Sequence, residues 1–211
     1  MKKTANTDIE EIFSFPPKTP AYKLPLFVDG SKFSCLVVGG GKGAVRKLTT
    51  LIEAGVSCTV VSPTCLPEIL QWVEDGKIFY WQKSYEPTDV KGFRIVIAAT
   101  ADTTLNDNIG TDARQEGALF SSLSTVYGND FSFAASAVEK GITMGIATQY
   151  QLPEVGKLLR DNWLARLPEN LETLLMELSI CRKHAINTQR EEDKQHYKTL
   201  LLRLKELLQQ I

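Results

Sequence analysis

The segment "KFSCLVVGGGKGAVRKLTTLIEAG", residues 32–55, limits the possible folds more than any other part of this chain. Cys35 to Val38 is apolar without interruption, as in a strand covered on both faces rather than on one. Three glycines, Gly39 to Gly41, follow it directly. Val45, Leu48, Leu51 and Ile52 then recur at helical spacing, and Gly55 ends the pattern. The same rhythm continues: "VSCTVVSP" reads as a second buried strand, "LPEILQWVEDG" as a helix stopped by Gly76, and "KIFYWQKSY" (77–85) as a third strand. "GFRIVIAAT", "TTLNDNIGTDARQEG" and "ALFSSLS" (118–124) supply a fourth strand, a helix and a fifth strand. Apolar strands alternating with helices predict an α/β fold with a Rossmann-like, doubly wound parallel sheet.

The rhythm then changes. "FSFAASAVEKGITMGIAT" is two β-like runs joined at Glu139, Lys140 and Gly141, which predicts a hairpin. An isolated two-stranded ribbon is marginal in water, so this one is expected to pack on a helix or pair with a second copy, which makes a homodimer the economical solution. From Pro153 onward the pattern is helical. Val155, Leu158, Leu159, Trp163 and Leu167 line one face, Pro168 breaks the run, and Leu171, Leu174, Leu175, Leu178 and Cys181 begin a second helix. Tyr197, Leu200, Leu201, Leu204, Leu208 and Ile211 form a third with near-heptad spacing. The expected organisation is an N-terminal arm (1–23), a dinucleotide-binding Rossmann domain (24–130), a β dimerisation segment (131–152) and a small C-terminal helical domain (153–211).

Charge narrows the partners. With 24 Lys+Arg against 25 Asp+Glu there is no basic excess of the kind that nucleic acid or an anionic membrane calls for. No apolar stretch reaches the roughly 18 residues of a membrane span, and the start of the chain lacks a signal-peptide core, so a cytoplasmic protein is expected. Cys35, Cys58, Cys65 and Cys181 are scattered and read as reduced thiols. His184 and His196, twelve residues apart and so not on one turn, read as solvated helix residues, and no metal site is expected.

Gly39, Gly41 and Ala44 satisfy GxGxxA between a predicted strand and a predicted helix, the context that gives this pattern a mechanism. Gly39 permits the turn, Gly41 lets a diphosphate approach the backbone, and Ala44 lets helix and strand pack closely, with the helix N–H groups facing the phosphates. Lys42 and Arg46 border the turn. The end of the second strand, "TVVSPT", has hydroxyls at Ser62 and Thr64 but neither a carboxylate for a ribose 2′-OH nor an arginine for a 2′-phosphate, so the residues alone leave NAD and NADP open.

Four landmarks go further. "LPLFVDGSKFSCLVVGGGKGAVRK", "AGVSCTVVSP", "IVIAATADTTLN" and "PEVGKLLRDNW" resemble, in order and spacing, the precorrin-2 dehydrogenase and sirohydrochlorin ferrochelatase family, from about Leu24 to Leu167. The resemblance implies oxidation of precorrin-2 to sirohydrochlorin with NAD⁺ as hydride acceptor, and a homodimer made by exchanged β segments. It would put Gly39, Gly41, Lys42, Gly43 and Ala44 at the NAD diphosphate, Ser62 near the adenosine ribose, and Thr100 and Asp102 beside the cofactor. The substrate carries eight carboxylates, for which Arg46, Thr148, Lys157 and Arg160 are the candidate partners. Two-function members of the family, which also insert Fe²⁺, carry an aspartate at the position of Ser124, and a serine without a base partner is no proton acceptor near neutral pH. Ser124 and Asp102 are therefore the catalytic candidates, with dehydrogenation expected and metal insertion not. The family's glycine-containing SxGGxSP loop stands here as "TQYQLP", Thr148 to Pro153, which motivates one alternative, a non-catalytic dinucleotide- or tetrapyrrole-binding relative; a two-function enzyme with a replaced carboxylate is the other.

Overall fold

A computed structural model describes residues 24–124, 128–149 and 152–209. The predicted arm, Tyr150 and Gln151 of the altered loop, and Ile211 lie outside the described residues. The chain divides into two compact units, one over Pro25–Ser132 and one that includes Phe133–Ile211.

In the first unit the alternation of strand and helix holds. β1 (Ser34–Val38), α1 (Lys42–Glu53), β2 (Ser57–Val61), α2 (Pro67–Glu74), β3 (Ile78–Trp81), β4 (Ile95–Ala98), α3 (Thr103–Gln115) and β5 (Leu119–Ser122) follow one another. The strands form one five-stranded sheet in the order β3-β2-β1-β4-β5, parallel at every pairing. Val38 pairs with both Val61 and Ala98, and Ala98 with Ser122, so the C-terminal ends of four strands lie level along one edge. Leu36, Val38, Val61, Val96, Ala98, Ile109 and Phe120 form the core on one face of the sheet, and Cys35, Val37, Val60 and Ile97 are buried on the other. β3 stops at Trp81, short of the predicted 85. Lys83 N–H donates to the Trp81 carbonyl at 2.9 Å, and its ammonium binds Asp89 at 2.7 Å and Glu86 at 3.1 Å, which turns the chain away from the sheet edge.

The second unit holds β6 (Ala135–Glu139), β7 (Ile142–Ile146), α4 (Pro153–Leu164), α5 (Leu171–Thr188) and α6 (Glu191–Leu208). The strands pair antiparallel around Lys140 (φ 50°) and Gly141 (φ 75°), the two left-handed residues of a tight hairpin. A lysine is a costly choice there, and its ammonium is held by the Leu167 carbonyl at 3.0 Å and Glu169 at 3.3 Å. The hairpin packs on α4, where Arg160 Nη1 donates to the Ser136 carbonyl at 3.1 Å. The expected apolar face of α4 is not covered among the described residues. Leu158 is 70% and Trp163 55% exposed, Val155 and Leu159 are exposed too, and Leu167 alone of that set is buried. α5 and α6 pack through Leu174, Leu178 and Leu200, with Cys181, Tyr197, Leu204 and Leu207 alongside. Leu201 and Leu208, expected on that seam, are exposed, and Leu207 takes the inward position.

Candidate functional site

The level strand ends open into a cleft of about 620 Å³, within the range of small-molecule sites. It lies where the sheet order reverses: the chain leaves β1 toward β2 on one side, while β4 pairs on the other. This is the switch point at which open α/β sheets bind ligands. Gly39 to Gly41 form one wall, Ser62 to Leu66 another, Ala99 to Ala101 a third, and Ser84, Tyr85 and Leu105 complete it.

Gly39 and Gly41 are there for different reasons. Gly39 has φ 116°, and a Cβ on it would stand 2.5 Å from the Ala99 carbonyl oxygen, so the turn itself requires glycine. Gly41 is unlike it. Its φ is −91°, open to any residue, and a Cβ would meet nothing within 4 Å. The space beside Gly41 belongs to the cleft. No side chain caps α1, whose first intrahelical bond runs from Val45 N–H to the Gly41 carbonyl at 3.1 Å, so its opening N–H groups face the glycine turn. An uncapped helix start beside an open glycine backbone fits a diphosphate. Ala44 is fully buried against the strand side, while Lys42 and Arg46 are exposed and Gly43 lies beneath Leu123.

Among the described residues the lining carries no lysine, arginine, aspartate or glutamate. Ser62 is buried at the end of β2 with its hydroxyl donating to the Thr64 carbonyl at 2.6 Å, which leaves it able only to accept from a ligand. Tyr85 donates to Asp112 Oδ2 at 2.8 Å; burial, then that bonded carboxylate, pushes its phenol up from the ordinary value of 10.0. Asp102 is spent as the cap of α3, accepting from Leu105 N–H at 3.0 Å.

Sequence reasoning missed the residue that ties these pieces together. Asn106, on α3, is fully buried and makes three side-chain bonds: from Thr100 Oγ1 (2.6 Å), to the Thr100 carbonyl (3.1 Å) and to Ser124 Oγ (2.9 Å). Ser124 itself is exposed, just past β5, and its bonded neighbours are Asn106 and Ser122, neither of them a base. Asn129 holds the β5 end by bonding Ser122 N–H and carbonyl at 2.7 and 3.2 Å. In the sequence Asn106 stands in the quoted "AATADTTLN", but its partners at 122–124 are too distant along the chain for any local pattern to expose it.

The remaining candidates lie in the second unit. Thr148 Oγ1 accepts from Leu152 N–H at 2.7 Å, just ahead of α4, and Lys157 is exposed. Arg160 is occupied, binding Asp161 at 2.7 Å and the Ser136 carbonyl. The reversal between α5 and α6 brings His184 and His196 to one cavity of about 160 Å³ despite their separation in sequence. His184 Nε2 is 3.6 Å from Asp193 Oδ1 there, and among the described residues no three His, Cys, Asp or Glu side chains converge on a metal position. The cysteines are free thiols. No helix among the described residues is long and apolar enough to cross a membrane.

The family described as "Putative NAD(P)-binding" matches residues 26–135, the stretch that carries the cleft. The chain belongs to this family. The chain is therefore a nicotinamide-dinucleotide-binding protein, and the matched stretch includes the glycine turn. Among curated relatives, "Siroheme synthase" of Methylococcus capsulatus is 33% identical over 151 residues, 72% of this chain and 32% of that protein. "Siroheme synthase" of Nitrosococcus oceani is 31% identical over 146 residues, 69% of this chain and 31% of that protein. The chain thus spans about a third of the length of these relatives. The solved structure "SirC, precorrin-2 dehydrogenase" shares the fold with a TM-score of 0.71 at 23% identity, over 89% of this chain and 98% of that one.

Proposed function

We propose that the chain oxidises precorrin-2 to sirohydrochlorin with NAD⁺ as hydride acceptor, on the route to sirohaem or a related modified tetrapyrrole. The observation that carries the reading is the cleft at Gly41: open backbone, an uncapped helix start, and no acidic side chain in the lining to repel a diphosphate. The names of the relatives and of the solved structure support the substrate. NAD is favoured over NADP because among the described residues no cation lines the cleft to neutralise a 2′-phosphate, and the nearby Lys83 is engaged by Asp89 and Glu86.

When bound, the dinucleotide supplies a hydride acceptor at its nicotinamide ring. The chain's work is orientation. Gly39 to Ala44 hold the diphosphate, Ser62 accepts from the adenosine ribose, and Thr100, fixed by Asn106, forms the wall beside the nicotinamide. The substrate gives up one hydride and one proton for each turnover; among the described residues Ser124 is bonded by Asn106 and Ser122, neither of them a base, and the proton is assigned to solvent. Arg46, Thr148 and Lys157 are assigned to substrate carboxylates, whereas Arg160 serves α4 and the hairpin first. The domain limits predicted from the sequence, a cytoplasmic location and a homodimer made through 131–152 belong to the same proposal. The uncovered face of α4 and the exposed Val138 of β6 are the surfaces a second copy would bury.

A second reading, the two-function enzyme, is disfavoured by Ser124, which is not a carboxylate and has no base bonded to it among the described residues. One experiment addresses both: titrate the full chain with NAD⁺ and NADP⁺, then supply precorrin-2 anaerobically and follow product before and after adding Fe²⁺. Tighter NAD⁺ binding, product formation and no iron-dependent change beyond the spontaneous rate are expected. Tighter binding of NADP⁺ would overturn the cofactor assignment, and catalysed iron insertion would establish the second reading.

A further inference from the structure

The hydrogen-bond network behind Ser124 has a direction. Asn106 Nδ2 bonds the Thr100 carbonyl at 3.1 Å, and a carbonyl can only accept, so the amide cannot be flipped. Its Oδ1 then takes the Thr100 hydroxyl at 2.6 Å, and its second N–H donates to Ser124 Oγ at 2.9 Å. Ser122 comes next. It is 4% exposed, its Oγ accepts from Ser124 N–H at 3.2 Å, and the one acceptor for its own proton among the described residues is Ser124 Oγ, 2.8 Å away. A buried hydroxyl left with an unused proton is costly, so Ser122 donates and Ser124 accepts.

Ser124 Oγ therefore receives two hydrogen bonds and keeps its own proton to give. The residue is exposed, just past the C-terminal end of β5, and Asn106 joins it to Thr100 of the cleft wall. Two received bonds make the oxygen a poorer proton acceptor and the hydroxyl a stronger donor. We infer that Ser124 is a hydrogen-bond donor to a carboxylate of the bound tetrapyrrole, held in that role by Asn106 and Ser122, and is not the base of the reaction. This rests on the function proposed above. An aspartate at this position would repel the substrate carboxylate that the serine binds.

Three variants of the full chain test it: Ser124→Ala, Ser124→Thr and Ser124→Asp, each measured for NAD⁺ affinity, sirohydrochlorin affinity, and KM and kcat with precorrin-2. A hydrogen bond to a charged group is worth about tenfold or more, so Ser124→Ala is expected to weaken sirohydrochlorin binding and raise KM by about that factor, with kcat and NAD⁺ affinity within about twofold. Ser124→Thr, which keeps the hydroxyl, should restore binding, and Ser124→Asp should bind more weakly than alanine near neutral pH. A loss of kcat at unchanged KM in Ser124→Ala, or faster turnover in Ser124→Asp, would overturn the donor role. Wild-type turnover with Ser124→Ala indistinguishable from it would overturn the donor role alone. A wild-type chain that binds NAD⁺ but neither binds sirohydrochlorin nor oxidises precorrin-2 would overturn the functional reading along with it.

Discussion

Gly41→Asp separates the fold of the turn from its function, because the two should move in opposite directions. Gly41 is the N-cap of α1 at φ −91°, an ordinary conformation for aspartate, and a Cβ there meets nothing within 4 Å. Aspartate is a better N-cap than glycine and its charge suits the helix dipole, so folding should be unharmed or gain about 0.5 kcal/mol. That corresponds to a Tm change of between zero and about +4 °C. The carboxylate would take the N–H groups meant for the diphosphate and add a like charge beside it. At about 5 Å and an effective dielectric constant of about 20, each phosphate charge is opposed by about 3 kcal/mol, so NAD⁺ affinity should fall by more than about 100-fold. Thermal unfolding without ligand and NAD⁺ titration by calorimetry read the two quantities separately. Binding within about tenfold of wild type would refute the assignment of the phosphate site. A Tm lowered by more than about 5 °C would refute the claim that Gly41 is dispensable for folding.

Gly39→Ala should behave in the opposite way. With φ at 116° and a Cβ only 2.5 Å from the Ala99 oxygen, it should cost about 1–3 kcal/mol in strain alone and appear as a lower Tm even without ligand. Asn106→Ala strands the Thr100 and Ser124 groups it satisfied, and a loss of about 2 kcal/mol by urea unfolding is expected. Burial holds the Cys58 thiol at about 12 instead of 9.0, and burial, with Cys58 adding to it, also raises Cys35. The unfolded thiol ionises first as pH rises, so the unfolded state binds fewer protons. The contribution from Cys58 is therefore complete below pH 9.0 and is lost as pH rises toward about 12, which a pH series of urea midpoints would reveal. In native protein, thiol reagents should label Cys65 and Cys181 and spare Cys35 and Cys58 until it unfolds.

What could be read from the sequence was whatever is local and periodic. Val38–Gly39–Gly41–Ala44 states its strand, turn and helix within a few residues, and the apolar runs at Cys58–Val61 and Ile95–Ala98 announce a two-sided sheet because nothing polar interrupts them. The lysine and glycine at 140 and 141 likewise mark the hairpin turn. What escaped depends on distant partners. Asn106 looks like any polar helix residue until β5 brings Ser124 to it, and the end of β3 at Trp81 is decided by Lys83 reaching Asp89. The apolar face of α4 was legible as a stripe, but helical periodicity reports apolarity and not what covers it. The α6 seam turned on the difference between Leu207 and Leu208, one position of helical rotation.

The most direct test of the central claim is an anaerobic single-turnover mixture of the full chain, precorrin-2 and excess NAD⁺, followed simultaneously for NADH and sirohydrochlorin. One hydride leaves each substrate molecule, so the two products should rise together in equal amounts with wild type, and neither should rise with Gly41→Asp. Sirohydrochlorin appearing without NADH, or no reaction under conditions where NAD⁺ binding is measurable, would contradict the account.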